Sequence, residues 1–311
     1  MATLAQSLVI PAYNEALRLE AGFARLRPTL DILGADRTDI VMVDDGSTDA
    51  TMRVAHEVYG HLANFRLVQH PHNRGKGAAV RTGFAYARAP KVIVADADMS
   101  IRPEHFVNVL DTLERAPMAP GSRARDGKIL YETLTRSLSG TAFHILVHHY
   151  TKLAVRDTQC GCKGFDLAAG RLLALLGFVD SFVYDVELFY LARQLGLEIE
   201  PVSVTWDDIA GSTVHLANSS RTLLSDLRAI PRTRYTCPVV EVRADRSLDD
   251  IRRAATEARA AGLVVARHPD NALIVMPRDS AVAAVGVAQA LDGVVRTTTL
   301  AELRGRPLDA V

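Results

Sequence analysis

The chain has 311 residues, 48% of them hydrophobic, and its 36 Lys and Arg residues balance 36 Asp and Glu residues. This length suits one large domain or a domain with a smaller appendage, and the balanced charge argues against a nucleic-acid-binding domain. Three cysteines are too few for a disulfide framework. The N-terminus lacks a signal-peptide pattern, and no stretch is long and apolar enough for a membrane span. We therefore expect a cytoplasmic protein, with peripheral contact at the inner face of the cell membrane as an open option.

Short apolar segments alternate with helical patterns through the first third of the chain. The predicted strands are 7–11, 39–43, 65–69 and 91–95, and the predicted helices are 15–33, 49–59 and 77–88. Such alternation predicts an α/β fold with a doubly wound, mostly parallel sheet. Ligands of these sheets bind beyond the carboxyl ends of the strands.

The pattern changes twice further along the chain. In the middle, the predicted helices are 132–155, 185–195 and 219–230, a strand is predicted at 199–205, and 157–165 is predicted to be a polar loop. Near Cys237 the pattern restarts in the order βαββαβ, which resembles a small α+β ferredoxin-like module. We therefore divide the chain into domains 1–236 and 237–311. Regulation, dimer formation and partner binding are all open roles for the second domain.

Two carboxylates follow the last strand of the first third. Asp96 and Asp98 flank Ala97 on a turn, and residues two apart in an extended segment point to the same side. Two hard oxygen ligands can hold Mg²⁺ or Mn²⁺ and leave coordination positions for phosphate oxygens. The sequence therefore suggests a metal site, although an isolated Asp-x-Asp is more often a solvated turn.

A second acidic strand end occurs earlier in the chain. Asp44 and Asp45 follow Val43, and Ser47 or Thr48 is expected to cap the next helix. Capping does not account for two adjacent carboxylates at the carboxyl end of the strand. Hydrogen bonds that the two carboxylates accept from a ribose or base would account for them. Downstream, glycines and cations in 72–77 precede a helix, which suits either an ordinary loop or a phosphate contact.

Cations and one further acid mark the middle of the chain. Arg123 is suited to bidentate phosphate binding, and Lys163 is the cation of the predicted loop 157–165. Asp185 lies in the first turn of a predicted helix, where an acid also simply complements the helix dipole. Trp206 is interpreted as a packing residue or a wall for an acceptor. Cys160 and Cys162 are interpreted as small buried thiols.

Taken in order, the motifs resemble glycosyltransferase family two with its GT-A fold. The matching strings are VIPAYNE, VDDGSTD, NRGKGAAVRTGF, DADMS, GSR, DTQCGCKGF and YDVELFYLARQLG. The resemblance runs from about Ser7 to Arg234. Its greatest similarity is to dolichyl- and polyprenyl-phosphate sugar synthases of the dolichyl-phosphate β-glucosyltransferase type.

The resemblance implies roles for particular residues. The nucleotide-sugar-binding residues would be Pro11, Tyr13, Glu15, Val43, Asp44, Asp45, Lys76, Asp96, Ala97 and Asp98. Within that set Asp96 and Asp98 would bind a divalent metal, Mg or Mn. The implied catalytic residues are Arg123 and Lys163, which would meet phosphate, and Asp185, which would lie near the acceptor. The implied reaction inverts the anomeric centre.

Three functional readings follow from the resemblance. The first is transfer of a hexose, with glucose from UDP-glucose preferred, to a polyprenyl or dolichyl phosphate. The second keeps the chemistry but takes GDP-mannose as donor or a soluble hydroxyl compound as acceptor, an option raised by the acidic pair Asp207 and Asp208 after Trp206. The third is a non-enzymatic nucleotide-sugar sensor. The sequence leaves the oligomeric state open.

Overall fold

The computed structural model describes residues 3–125, 128–129, 134–205, 220–277 and 281–311. Within them the strands are β1 (Gln6–Ala12), β2 (Thr38–Asp44), β3 (Phe65–Gln69), β4 (Lys91–Ala95), β5 (Met118–Ser122), β6 (Ala124–Arg125), β7 (Lys128–Ile129), β8 (Cys162–Asp166), β9 (Val202–Ser203), β10 (Thr236–Arg243), β11 (Val264–Arg267), β12 (Asn271–Val275), β13 (Val294–Thr299) and β14 (Leu308–Ala310). The helices are α1 (Leu19–Leu33), α2 (Thr51–Tyr59), α3 (Lys76–Tyr86), α4 (Pro103–Thr112), α5 (Leu134–Thr151), α6 (Leu167–Leu176), α7 (Tyr184–Leu195), α8 (Ser220–Ala229), α9 (Leu248–Glu257), α10 (Ala281–Leu291) and α11 (Leu300–Leu303).

A mostly parallel sheet forms the centre of the molecule. Among the described residues it has seven strands in the order β3-β2-β1-β4-β8-β5-β9. The strands β3, β2, β1 and β4 run parallel, and the register pairs Ala12 with Asp44 and Val9 with Val94. The carboxyl ends of β1, β2 and β4 therefore meet at one edge, as the alternation of strands and helices predicts.

The clearest departure from the sequence prediction is β8. Residues 157–165 were expected to form a loop, but the second half of that stretch belongs to β8, which runs antiparallel between β4 and β5. Its residues Cys162 to Phe165 are all buried, including Lys163. The segment looks polar in sequence because it contains Lys163. The lysine can be buried because Asp185, on α7, neutralises its charge. The strand predicted at 199–205 is also shorter than expected, since β9 covers only Val202–Ser203.

Two layers of helices cover the sheet. Helices α1, α2 and α4 pack on one face around Leu19, Leu26 and Phe106. Helices α3, α6 and α7 pack on the other face around Phe84, Leu173 and Phe189. The rings of Phe84 and Phe165 meet edge-to-face at 5.2 Å, which joins α3 to β8. The buried apolar area of both layers stabilises the sheet whose ends carry the candidate site.

The C-terminal part has its own antiparallel sheet in the order β13-β10-β12-β11-β14 among the described residues. The elements β10 to β13, with α9 and α10, follow the βαββαβ order that the sequence predicts, and the strand order is that of a ferredoxin-like module. One face packs under α9 and α10 around Val240 and Ile274. The other face, around Val239 and Leu273, joins the core of α6 and α7. The division of the chain at 236/237 stays a prediction.

Helix α5 was considered for lipid contact. Val147 is buried, and Phe143 and Leu146 pack partly buried against the main core, whereas Ile145 is exposed. Core packing therefore accounts for most of the apolar residues in this stretch. In the described part of the chain, no helix is long and apolar enough to cross a membrane. Trp206, interpreted as a packing residue or an acceptor wall, and the acidic pair Asp207 and Asp208 lie outside the described residues.

Candidate active site

The turn 96–98 lies directly beyond β4, at the carboxyl ends of the parallel strands. Ala97 is buried, while Asp96 and Asp98 are half-buried on either side of it. The backbone N–H of Asp96 donates to the carbonyl of Gly161 at 3.2 Å. The N–H of Ser100 donates to Asp98 Oδ1 at 3.2 Å. Residues 96–98 form a turn in which the N–H of Met99 donates to the carbonyl of Asp96 at 3.0 Å, and not an extended segment, and both acidic side chains stay partly exposed.

Glu15 adds a third carboxylate beside this turn. Burial raises the pKa of Glu15 to about 7; Arg18 opposes the shift, whereas the negative charges of Asp98 and Asp96 add to it. Its Oε1 forms an ion pair with Arg18 at 2.5 Å, while its buried Oε2 has no hydrogen-bond partner. The contributions of Asp98 and Asp96 to this shift mean that the three carboxyl groups lie close enough to repel one another, and a bound cation would relieve that repulsion.

Helix α1 approaches this turn through Gly22. A Cβ at Gly22 would lie 2.1 Å from the carbonyl oxygen of Ala97, which is too close for any larger residue without movement. The guanidinium of Arg25 donates to the carbonyl of Asp98 at 3.0 Å. Helix α1 therefore holds the backbone of the acidic turn in place through Gly22 and Arg25. No sequence pattern singled out Gly22, because only the folded packing brings it to Ala97.

Lys76, the first residue of α3, links the acidic turn to the other side of the site. Its Nζ lies 2.6 Å from Asp96 Oδ1, and the side chain is 19% exposed. Burial acts to lower the pKa of Lys76, but the carboxylates of Asp96, Asp185 and Asp98 outweigh burial and hold that pKa above its usual value. The ammonium is therefore charged at neutral pH and interacts electrostatically with the acidic turn and with Asp185.

Asp44 and Asp45, at the end of β2, are both buried. Asp44 accepts hydrogen bonds from Ser47 and from Gln69 Nε2, the latter at 3.2 Å. Asp45 contacts His70 Nδ1 at 2.7 Å and accepts from the backbone N–H of Arg74 at 3.0 Å and of Gly75 at 2.7 Å. Asp45 thus anchors the loop that precedes α3.

The neighbouring loop after β1 is tied to the same strand end. The side chain of Asn14 accepts at Oδ1 from the backbone N–H of Thr48 at 2.9 Å. The backbone N–H of Asn14 donates to Ser47 Oγ at 2.9 Å. The expectation that Ser47 or Thr48 caps α2 is wrong, because Asp49 instead accepts from the N–H of Thr51. Ser47 is engaged by Asp44 and Asn14.

The remaining residues predicted for nucleotide binding lie on the same two strands. Pro11 pairs with Val43 across β1 and β2, and both are buried. Tyr13, just beyond β1, is 42% exposed. The strand ends therefore present one accessible aromatic ring above a rigid, buried floor.

A buried ion pair joins β8 to α7. Lys163 Nζ lies 2.8 Å from Asp185 Oδ1, with side-chain exposures of only 3% and 4%. Lys163 also donates to the carbonyl of Cys160. The structure thus brings together two of the residues that the resemblance implies are catalytic. Burial also raises the pKa of the Cys160 thiol, to about 11, and of the Cys162 thiol, so both stay neutral.

A second ion pair lies at the end of β5. Arg123 donates from Nε and Nη2 to the two oxygens of Asp157, each at 2.8 Å, and its backbone N–H donates to Oδ2 at 2.9 Å. Although burial alone would raise the pKa of Asp157, the Arg123 guanidinium holds that pKa below its usual range. Sequence reasoning missed Asp157 as the residue that orients Arg123.

The acidic turn fits a divalent metal. The carboxylates of Asp96 and Asp98 offer two hard oxygen donors in negatively charged surroundings. Such a pair suits Mg²⁺ or Mn²⁺ if other oxygens complete the coordination. Across the described residues no group of three or more His, Cys, Asp or Glu side chains is placed to hold a metal. Any ion at this turn would therefore need ligands from the substrate or solvent.

The fold of this chain is similar to those of solved glycosyltransferase structures. Glucosyl-3-phosphoglycerate synthase from Mycobacterium tuberculosis, solved in complex with UDP, superposes with a TM-score of 0.55 at 20% identity, covering 73% of this chain and 80% of that one. Mannosyl-3-phosphoglycerate synthase from Rubrobacter xylanophilus gives a TM-score of 0.53 at 18% identity, covering 74% and 73%. The fold is the GT-A fold of glycosyltransferases.

The sequence comparisons identify the family. The model of glycosyl transferase family 2 matches residues 7–171, more than half of the chain. Dolichyl-phosphate beta-glucosyltransferase of Homo sapiens is 35% identical over 223 residues, 66% of this chain and 68% of the relative. The protein of the same name from Saccharomyces cerevisiae is 30% identical over 241 residues, 71% and 72% respectively. The chain belongs to glycosyl transferase family 2, and it is a glycosyltransferase rather than the sensor considered from the sequence.

Proposed function

We propose that the chain transfers glucose from UDP-glucose to a dolichyl or polyprenyl phosphate, with inversion and with a divalent metal. The observation that carries this proposal is that Lys76, which pairs with Asp96 of the acidic turn, also interacts electrostatically with Asp185, the partner of Lys163, so the turn and that ion pair lie near each other. The similarity to relatives named dolichyl-phosphate beta-glucosyltransferase supports the choice of donor sugar and acceptor.

The donor is assigned to the ends of β1, β2 and β4. Tyr13 offers an exposed ring for the base, above a floor that contains Pro11 and Val43. Asp44 and Asp45 lie at the same edge, with Asp45 holding the loop before α3. The nucleoside would lie across this edge, and the diphosphate would point toward the turn 96–98.

Asp96 and Asp98 would hold the metal, with Glu15 behind them. A divalent ion supplies charge neutralisation for a leaving diphosphate. Lys76 is the residue of this chain best placed to assist, because its ammonium already lies on Asp96 and keeps its charge. A fixed cation that meets charge developing in the transition state lowers the barrier without reorganisation.

The acceptor is assigned to the ion pairs. A phosphate monoester is mostly ionised at neutral pH, since its second pKa is about 6, so its oxygen can attack the anomeric carbon without a base. As that bond forms, the bond to the diphosphate oxygen breaks and UDP leaves. Arg123, held rigid by Asp157, and Lys163, held by Asp185, would orient the acceptor phosphate. Asp185 is thereby a positioning residue for Lys163.

The test of this proposal uses radiolabelled UDP-glucose with short-chain dolichyl phosphate and Mn²⁺. We expect label in the butanol-extractable product, and none when the phosphate-free alcohol replaces dolichyl phosphate. Label that appears only in water-soluble products would favour a soluble acceptor, and transfer from GDP-mannose alone would replace the donor. An inactive wild-type protein in every combination would contradict the proposal.

Replacing Asp185 tests its role directly. With a phosphate acceptor, Asp185→Asn should lower transfer by about tenfold, because Lys163 loses its charged partner but no base is removed. Loss of all transfer to a verified phosphate acceptor would contradict the positioning role and point to proton abstraction. Glu198→Asn, on the exposed surface beyond α7, is the matched control.

A further inference from the structure

The segment 177–183, between α6 and α7, forms the support on which α3 begins. The backbone N–H of Gly77 donates to the carbonyl of Asp180 at 2.8 Å, and Arg81 Nη1 donates to the carbonyl of Val179 at 2.8 Å. Gly75 has a φ of 107°, and a Cβ there would lie 2.2 Å from the Asp180 carbonyl oxygen. The first turn of α3, which carries Lys76, therefore takes its position from this segment.

Glu187 holds that segment from the opposite side. Its carboxylate accepts hydrogen bonds from the backbone N–H of Phe178 at 3.1 Å and of Val179 at 2.9 Å. Glu187 is 1% exposed. Burial raises the pKa of Glu187 even though these donors oppose the shift. A buried acidic side chain bonded to two consecutive N–H groups fixes the course of the backbone between them.

Tyr235 completes the arrangement from the start of the C-terminal sheet. It is buried directly before β10, and its hydroxyl donates to Glu187 Oε1 at 3.2 Å. Its ring lies 5.7 Å from the ring of Phe178 and 6.2 Å from that of Tyr190. A continuous series of contacts thus runs from the entry to β10, through Glu187 and the segment, to α3.

We propose that Glu187 and Tyr235 are positioning residues for Lys76, holding segment 177–183 so that the Lys76 ammonium stays on Asp96, and that the residue directly before β10 thereby takes part in donor binding. This inference rests on the proposed function, because Lys76 is assigned there to the donor diphosphate. It goes further by giving Tyr235, directly before β10, a mechanical role at that site through its contact with Glu187.

Two conservative variants separate this role from general folding. Tyr235→Phe removes only a hydroxyl, and Glu187→Gln keeps the side-chain volume but removes the charge. We expect the dissociation constant for UDP-glucose with Mn²⁺ to rise about tenfold in Glu187→Gln and about threefold in Tyr235→Phe. The variant Glu198→Gln, at an exposed position on the same stretch of chain, should bind as the wild type does.

A double-variant comparison then tests whether the effect passes through Lys76. If it does, Glu187→Gln should weaken donor binding in the wild-type background but add less than twofold to the loss in Lys76→Met, because the positioned ammonium is already absent. Fully additive losses in correctly folded protein would overturn the inference, as would unchanged donor binding in both single variants.

Amide hydrogen exchange in the ligand-free protein measures how firmly segment 177–183 and the start of α3 are held, and it requires no assumption about the donor. In Glu187→Gln we expect the amides of Phe178, Val179 and Gly77 to exchange about tenfold faster, with no change in β1. Unchanged protection at these three amides would overturn the inference even if donor binding fell. Altered protection in a protein that binds no nucleotide sugar would support the positioning role while contradicting the proposed function.

Discussion

The two halves of the candidate site handle charge in opposite ways. In the carboxylate half, Glu15, Asp96 and Asp98 crowd one edge of the sheet, and Asp96 is 32% exposed while paired only at its Oδ1 with Lys76. In the ion-pair half, Lys163 and Asp185 are almost fully buried against each other, and Arg123 is clamped by Asp157. The first half is partly exposed and carries excess negative charge, whereas the second is internally neutralised and reaches the surface mainly through Arg123, which is 23% exposed. Substitutions in the first should therefore impair binding and catalysis, and substitutions in the second should also cost stability.

The largest effect is expected at the acidic turn. Asp98→Asn keeps the shape of the side chain but removes a charge needed to hold a divalent cation, so transfer should fall about a thousandfold. Initial rates at increasing Mn²⁺ concentration measure this effect. Asp111→Asn, on the exposed side of α4, is the control and should leave the rate unchanged. An Asp98→Asn rate within about threefold of the wild type would remove the turn from the mechanism.

In the ion-pair half, the expected change is in stability. Lys163→Met leaves the Asp185 carboxylate buried without its partner and should lower the free energy of unfolding by about 4 kcal/mol. The double variant Lys163→Met/Asp185→Leu should regain most of that loss while remaining inactive, because two apolar side chains replace two charges. Urea unfolding of the wild type, the single variant and the double variant measures the effect. A single variant as stable as the wild type would show that the pair is not the buried, mutually dependent unit described above.

In the carboxylate half, stability should depend on pH between 4.5 and about 7. The pKa of Glu15 rises from 4.5 to about 7 on folding, so the folded state binds more protons than the unfolded state between these values. Stability contributed by protonated Glu15 is therefore lost as the pH rises from 4.5 through 7, by at most about 3 kcal/mol. Metal-free Glu15→Gln should lack this part of the decline. Glu57→Gln, an exposed position on α2, should retain it.

The smallest expected effect concerns the support behind the acidic turn. Gly22→Ala places a Cβ against the Ala97 carbonyl, so the turn or α1 must shift, at a cost of about 2 kcal/mol. Mn²⁺-dependent donor binding should weaken about tenfold, as measured by calorimetry. Ala24→Ser, on the exposed side of the same helix, should have no effect. Normal donor binding by Gly22→Ala would show that the turn does not depend on this close approach.

The sequence predicted the parts of the fold that local patterns encode. Strands β1, β2 and β4 are short apolar runs, and the acidic groups at their ends follow directly from where the runs stop. Strand β8 was missed because a lysine in a central strand contradicts the usual pattern, and its partner Asp185 is 22 residues away on α7. Burial on both sides, rather than β-propensity, makes that segment a strand.

The site was predictable to a similar extent. The motif order identified the acidic turn, Lys163 and Asp185, but the roles assigned to these residues stay predictions. The matched strings contain Asp157 and Glu187, but the roles of these two residues and of Gly22 could not be recognised, because each acts through a contact with a residue outside its own motif. Close approaches such as that of Gly22 to Ala97, or of Glu187 to the start of segment 177–183, depend on how helices pack rather than on any local pattern.

Calorimetric titration of UDP-glucose into the wild type and Asp96→Asn, each with and without Mn²⁺, tests the central assignment most directly. Metal-dependent binding by the wild type, with the metal dependence lost in Asp96→Asn, is the predicted result. Equal binding by both proteins regardless of Mn²⁺, or no binding by the wild type, would contradict the assignment of a metal-bridged diphosphate to the turn after β4.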